Sequence, residues 1–236
     1  MNQDPSLGVG LSRAEVSERS FLSQVYLWMS LGLLLTGFVA AWVAFTPALA
    51  ANLLRSGGLF FVLALVQIGI VFWLSSQILN LSVTTATIGF SVYATLNGVL
   101  FSTIFLVYTG ASIASTFLVT AGMFGAISAY GFLTKQDLSS VGSFCFMGLI
   151  GIILASLVNW FLKSAALYWI LTYASIAVFV GLTAYDTQRL KRIHQEGFAS
   201  EGLMKKIALL GALALYLDFI NLFLLLSRVL GRNRQR

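Results

Sequence analysis

The chain has 236 residues, 58% of them hydrophobic and 9% charged, where a soluble domain carries about 25% charged residues. That balance excludes an ordinary soluble fold, and the length leaves no room for a second domain once the apolar spans are counted. The formal net charge of +6 is no sign of nucleic acid, because most of the Lys and Arg flank apolar segments, where positive charge sets topology.

Residues 1–20 form a polar leader with Asp4, Arg13, Glu15, Glu18 and Arg19. It lacks the apolar h-region and small-residue cleavage site of a signal peptide, and reads as disordered or as a short surface helix. Seven apolar spans follow within a single transmembrane domain, residues 21–231, at about 25–45, 59–79, 83–108, 113–133, 141–162, 167–187 and 207–227. The first ends near Pro47. The second has one strongly polar residue, Gln67, and the third is rich in Ser, Thr and Asn, including Asn97. In the fourth, Ala121 and Gly122 stand four and three before Gly125, and in the fifth Gly151 and Ala155 stand four apart, a spacing that predicts close backbone approach. Cys145 lies inside an apolar run and has no second cysteine to pair with. The sixth span ends in AYDTQRLKR, and residues 232–236 are a basic tail.

Short loops force antiparallel neighbours, so the spans form one compact all-α bundle. With the N-terminus inside, Arg13, Arg19, Lys135, Arg189, Lys191, Arg192, Lys205 and Lys206 are cytoplasmic. Arg55, Lys163, Arg228, Arg232, Arg234 and Arg236 then lie outside, a weak inward bias. Re-entry of the last segment would strengthen that bias. Its length, about 31 Å for twenty-one residues at 1.5 Å each, favours a full crossing.

That last segment reads IALLGALALYLDFINLFLLLS and carries Asp218 at its centre. A carboxylate at that depth costs about 2.5–3.5 kcal/mol and demands a reason. Gly211, Ala214, Asp218, Asn221, Leu225 and Arg228 recur at steps of three and four, so they share a helical face that turns toward other helices. A second intramembrane acid, Asp186, follows Tyr185 near the end of the sixth span. Read together, the two are a carboxylate pair: both cannot ionise easily in a dry site, so one keeps its proton toward neutral pH. Read apart, each acid is protonated or bonded to a neighbouring Tyr, Asn or Thr. Gln67 and Asn97 read as hydrogen-bonding links between helices. His194 reads as solvated in a basic loop. The sequence predicts no enzyme: no metal cluster or phosphate loop is present, and residues 215–218 lack the Gly-x-Gly-Asp of intramembrane aspartyl proteases, the remote alternative.

Two stretches, GLTAYDTQRLKR at 181–192 and GALALYLDFINLFLLLSRVLG at 211–231, closely resemble the signature ends of the Bax inhibitor-1/YccA family, the transmembrane Bax-inhibitor-motif proteins. STIFLVYT at 102–109 and TAGMFGAISAYGFLTKQDLS at 120–139 resemble it too. The likeness runs from about residue 20 to the end and is nearest the proteobacterial inner-membrane branch. It implies a seven-helix transmembrane bundle with a central last helix, in the bacterial inner membrane. It further implies a pH-sensitive calcium leak without cofactor, gated by an aspartate pair that maps onto Asp186 and Asp218. In animals and plants the family is associated with protection against cell death. Calcium would be the permeant ion, passing near the two carboxylates, and no firm metal site is implied. The alternative is a non-conducting regulator of membrane proteolysis or stress that touches a membrane-protein partner. A family basic residue maps onto Arg228, and Tyr185, Asn221, Gln67 and Asn97 are supporting polar positions. Some members carry an acid and an arginine in or after the second span that latch onto the last-helix arginine and the span-six aspartate. Here that region offers Gln67, so the latch cannot form in the same way.

Depth arithmetic adds a condition. Asp186 is about 5 Å from Arg189 along a helix and Asp218 about 18 Å from Lys206. If both basic clusters lay at one interface, the acids would sit some 13 Å apart in depth. They meet only if the sixth helix continues inward, with Arg189 and Lys191 lining a cytoplasmic vestibule.

Overall fold

The computed structural model describes residues 5–49, 57–198 and 200–232, with backbone alone for 5–19 and 57. Arg55, Arg234 and Arg236, used above to weigh topology, lie outside the described residues, as does most of the basic tail. Every regular element among the described residues is a helix: α1 (Pro5–Ala44), α2 (Gly57–Gln77), α3 (Val83–Val107), α4 (Gly110–Leu133), α5 (Ser139–Leu162), α6 (Ala165–Gln195) and α7 (Glu201–Leu230). All seven contain a stretch long and apolar enough to cross a membrane. The polar leader departs from its expected form. Its backbone from Pro5 onward is helical and runs without a break into the first span.

The helix starts are written in hydroxyl caps. Ser82, Thr109, Ser164 and Ser200 each accept the backbone N–H three residues on, at 3.0–3.3 Å, which satisfies a donor that a helix start leaves open. From α2 to α7 the connecting turns are short, two to five residues each. Lys163 ends α5 in the left-handed conformation (φ 50°).

Helix α7 is the axis of the bundle. Of its most apolar stretch 72% is buried, against 11% for α2 and for α5. Those two stand at the periphery, with Phe60, Phe61 and Phe72 of α2 and Phe144, Met147 and Phe161 of α5 exposed on apolar faces. Helix α7 runs thirty residues without reversing, about 45 Å, long enough to cross a membrane without turning back. Its end docks on the α3–α4 turn: Arg232 N donates to Ser112 Oγ at 2.9 Å, and its carbonyl accepts from Thr109 N at 3.2 Å.

Close approach falls on other glycines than the spacing predicts. A Cβ at Gly122, Gly125 or Gly151 would meet nothing within 4 Å, because these positions face outward. At Gly98 of α3 a Cβ would stand 2.7 Å from Val39 Cβ and 2.8 Å from the Thr36 carbonyl of α1, and at Gly131 of α4 it would strike the Ala184 carbonyl of α6. The small-residue pattern marks helices that can approach closely and does not say which face does so.

Gly98→Ala should therefore lower the thermal midpoint of the purified protein by an amount equivalent to about 1–3 kcal/mol, as overpacking does. Gly125→Ala should leave the midpoint unchanged or raise it slightly, since alanine favours a helix by about 1 kcal/mol over glycine. Thermal unfolding in one detergent compares the two.

Candidate functional site

The site follows from how α6 packs on α7. Gly211 of α7 has no side chain, and Leu190 of α6 fills the space a Cβ would take. Thr183 of α6 lies beside the Asp218 carboxylate. Both contacts pair positions whose numbers sum to the same value, so the two helices run antiparallel in one register. In that register Asp186 stands opposite Leu215, three residues or about 4.5 Å in depth from Asp218. The two carboxylates are electrostatic neighbours. Helix α6 reaches this register by continuing to Gln195, beyond the apolar stretch, as the depth argument requires.

Asp218 is 5% exposed, and its Oδ2 has no hydrogen-bond partner among the described residues. Asp186 is half-buried, with Arg189 of its own helix the nearest cationic influence. Arg189 is exposed. Lys191 does not line a vestibule: its Nζ donates to the Phe132 carbonyl at 2.9 Å and sits over the Phe132 ring. Among the described residues no group of three His, Cys, Asp or Glu side chains could hold a metal ion. Ca2+ takes six to eight oxygen ligands, so two carboxylates and a threonine are too few to form a cage for it.

The remaining expected positions separate. Tyr185 packs its ring on Gly142 of α5, within 2.5–2.7 Å of where a Cβ would be. Arg228 is exposed and lies over the Tyr168 ring, 5.8 Å from its centroid, a cation–π contact. Gln67, Asn97 and Asn221 do come together, at a cavity between α2, α3 and α7. Asn221 Nδ2 donates to the Leu217 carbonyl of its own helix at 2.8 Å. The Asn97 side chain of α3 meets Tyr93 of its own helix and Tyr216 of α7, and Gln67 Nε2 has no partner among the described residues. His194 is not solvated as expected: it is on α6, its ring stacks on Phe21 at 5.2 Å, and its Nδ1 is buried.

Sequence reasoning missed Thr183, one turn before Asp186, and the knot that seats α7. In that knot the Thr36 hydroxyl donates to the Ala94 carbonyl at 2.9 Å, so the Tyr216 hydroxyl donates to Thr36 at 2.6 Å. The Tyr216 ring meets Phe90 and Tyr93 edge-on at 5.7 and 5.9 Å. The Tyr216–Asp218 spacing, which sends the two side chains toward different neighbours, was the available signal.

The C-terminal end of α6 is pinned to the α4–α5 turn. Gln188 Oε1 accepts from Leu138 N at 2.9 Å and its Nε2 donates to the Gln136 carbonyl at 2.7 Å. Arg192 donates to Asp137 Oδ1 at 2.6 Å and to Ser139 Oγ at 3.1 Å. The backbone N–H and hydroxyl of Ser139, with the Arg192 guanidinium, hold the Asp137 carboxyl down to about 2.

Comparison with known proteins agrees with this architecture. The family described as "Inhibitor of apoptosis-promoting Bax1" matches residues 18–235. Inner membrane protein YbhL of Escherichia coli is 52% identical over 92% of this chain and 93% of its own length. A Rickettsia prowazekii protein is 43% identical over 92% of this chain and 91% of its own. A Streptococcus pyogenes membrane protein is 33% identical over 94% and 96%.

The Asp137 clamp makes a pH prediction. A carboxyl whose native value is depressed contributes stability that is fully present above the ordinary 3.8 and is lost as pH falls through about 2. Asp137→Asn should melt below the wild type at neutral pH, and the gap should close between about 4 and about 2. Thermal unfolding of both proteins across that range is the check; a gap independent of pH contradicts the clamp.

Proposed function

The chain belongs to the Bax inhibitor-1 family, and from that premise we propose that it is an inner-membrane, pH-sensitive leak for calcium or a similar cation, gated where Asp218 of α7 meets Asp186 of α6. The observation that carries the reading is the buried Asp218 carboxylate, unpartnered at Oδ2, with Asp186 within one helical turn in depth. An intramembrane acid turned to the bundle interior marks an ion or proton pathway by default.

The mechanism follows from Coulomb's law in a dry site. Two like charges a few ångströms apart repel strongly in low dielectric and weakly in water. With one proton between them, Asp186 and Asp218 hold α6 against α7. When that proton is lost as pH rises, the doubly charged pair drives the helices apart, water enters, and the two carboxylates attract a hard cation with oxygen ligands. Asp186 and Asp218 supply the charge and Thr183 supplies a hydroxyl beside it. Arg189, exposed on the cytoplasmic-loop side, is the cation that competes with an entering ion. No step calls for covalent chemistry.

Calcium flux into liposomes holding the purified full chain tests the reading. Wild-type flux should rise with pH, by up to about tenfold per unit for a single titrating gate. Asp218→Asn keeps the shape, removes one titrating group, and should be flat over that range. Arg228→Ala should leave the pH response in place, since Arg228 rests on Tyr168 and not on an acid. A full pH response in Asp218→Asn contradicts the shared proton. Absence of flux in every protein favours the non-conducting regulator.

A further inference from the structure

The two ends of the bundle differ in charge. At the end where α7 stops, Phe45 after α1 meets Phe105 of α3 edge-on, Thr109 N donates to the Arg232 carbonyl, and Arg228 lies over Tyr168 in the first turn of α6. The segments that follow α1, α3, α5 and α7 in sequence, residues 45–56, 108–109, 163–164 and 231–236, contain Arg55, Lys163, Arg232, Arg234 and Arg236 and no Asp or Glu. The opposite end is mixed, and its bases are answered: Arg192 pairs with Asp137 at 2.6 Å and Lys205 with Glu201 at 2.7 Å. Arg228 is exposed and makes no ion pair among the described residues. A base in the last turn of a helix answers the helix dipole, but that role needs no groove beside it.

Arg228 does stand beside a groove. It borders a cavity of about 210 Å³ between α3 and α7, with Tyr108 and Val107 on the facing wall. That cavity shares Thr103, Ile104 and Leu224 with the cavity of about 330 Å³ between α2, α3 and α7. The two are therefore successive parts of one furrow, with its charge at the mouth and none along its length. The deeper wall carries Phe60, Phe101 and Leu217. Phe60 and Val107 are exposed, so the furrow opens on the outer surface of the bundle and not only at its end. From Leu217 to Arg228 the α7 wall spans about 16 Å, close to half of the roughly 30 Å hydrocarbon core of a bilayer. A basic mouth above an apolar furrow one leaflet deep has the dimensions and polarity of a single phospholipid.

We propose that the α3–α7 furrow binds an anionic phospholipid, its phosphate at Arg228 and one acyl chain lying along Ile104, Leu224 and Phe101. Arginine presents a fork of donors that matches a phosphate, and basic pockets between membrane helices hold anionic headgroups. Tyr168 fixes the guanidinium at the mouth through its ring. The site stands whether or not the chain conducts ions.

The test uses the purified full chain in detergent and reads the thermal midpoint, which a ligand bound to the folded state raises in a saturable way. The probes are dioctanoylphosphatidylglycerol, dioctanoylphosphatidylcholine and inorganic phosphate: an anionic lipid, a zwitterionic lipid with the same chains, and the headgroup anion alone. The expected result is a saturable rise with phosphatidylglycerol, half-complete at a concentration about fivefold or more below that for phosphatidylcholine, and no rise with phosphate. Arg228→Gln, an exposed change that leaves the fold intact, should raise the half-saturating concentration of phosphatidylglycerol about fivefold or more and narrow its advantage over phosphatidylcholine. Lys135→Gln, exposed on the α4–α5 turn at the opposite end, removes the same charge and should leave binding unchanged. Leu224→Phe narrows the stretch common to both cavities and should weaken both lipids; should it fail to fold, Arg228→Gln decides alone. Equal shifts with the two lipids mean no headgroup selection, and a rise with phosphate equal to that with phosphatidylglycerol means a simple anion site. Either result would overturn the proposal, as would undiminished binding by Arg228→Gln or by folded Leu224→Phe, or an equal loss in Lys135→Gln.

Discussion

A carboxylate on a membrane-spanning helix costs about 2.5–3.5 kcal/mol at the bilayer centre unless the protein surrounds it, and α7 carries Asp218 more than a turn from either end. The bundle is arranged around that constraint. Helix α7 is enclosed by its neighbours, and the peripheral helices α2 and α5 carry the exposed apolar faces. The same enclosure accounts for Tyr216, buried two residues from Asp218 and tied through Thr36 to the Ala94 carbonyl. A polar group on each side of the axis is satisfied or faced by a different helix, which fixes the rotation of α7 as well as its position.

Packing sets the register that brings polar groups face to face. Leu190 lies over Gly211, and a leucine or valine there would displace α6 and with it Thr183 and Asp186. On the opposite side, Gly98 lets α1 and α3 close together beneath the Thr36–Tyr216 bond. At the C-terminal end of α6, Gln188 and Arg192 clamp the α4–α5 turn, so the part of α6 beyond the apolar stretch is held at its tip as well as at its middle. On the proposed reading, a gate between α6 and α7 works against those fixed points.

Much of this was legible in the sequence, and the limits were physical. Seven apolar runs and short turns give seven crossing helices, and an acid at mid-span with small and polar residues along its face gives an interior helix. Depth arithmetic on Arg189 and Lys206 required α6 to run beyond its apolar stretch, and it does. The spacing of Gly122 and Gly125 misled, because periodicity shows that a smooth strip exists and not what lies against it. His194 misled because a basic loop in sequence is the last turn of a long helix in space, where Phe21 from the distant α1 covers the ring. Tyr185 and Asn221 sit beside or near the aspartates in sequence, yet one turns to α5 and the other to α2 and α3. Such divergence depends on where six other helices stand, which no local pattern encodes.

The central claim is that Asp186 and Asp218 titrate as one unit. Infrared spectroscopy of the protonated carboxyl C=O stretch, followed against pH in wild type, Asp186→Asn and Asp218→Asn, tests it most directly. The account predicts a protonated carboxyl signal in the wild type, and a shift in the titration midpoint of each aspartate when the other is replaced, since each proton belongs to the pair. Two aspartates that titrate at the same pH with and without their neighbour would contradict it.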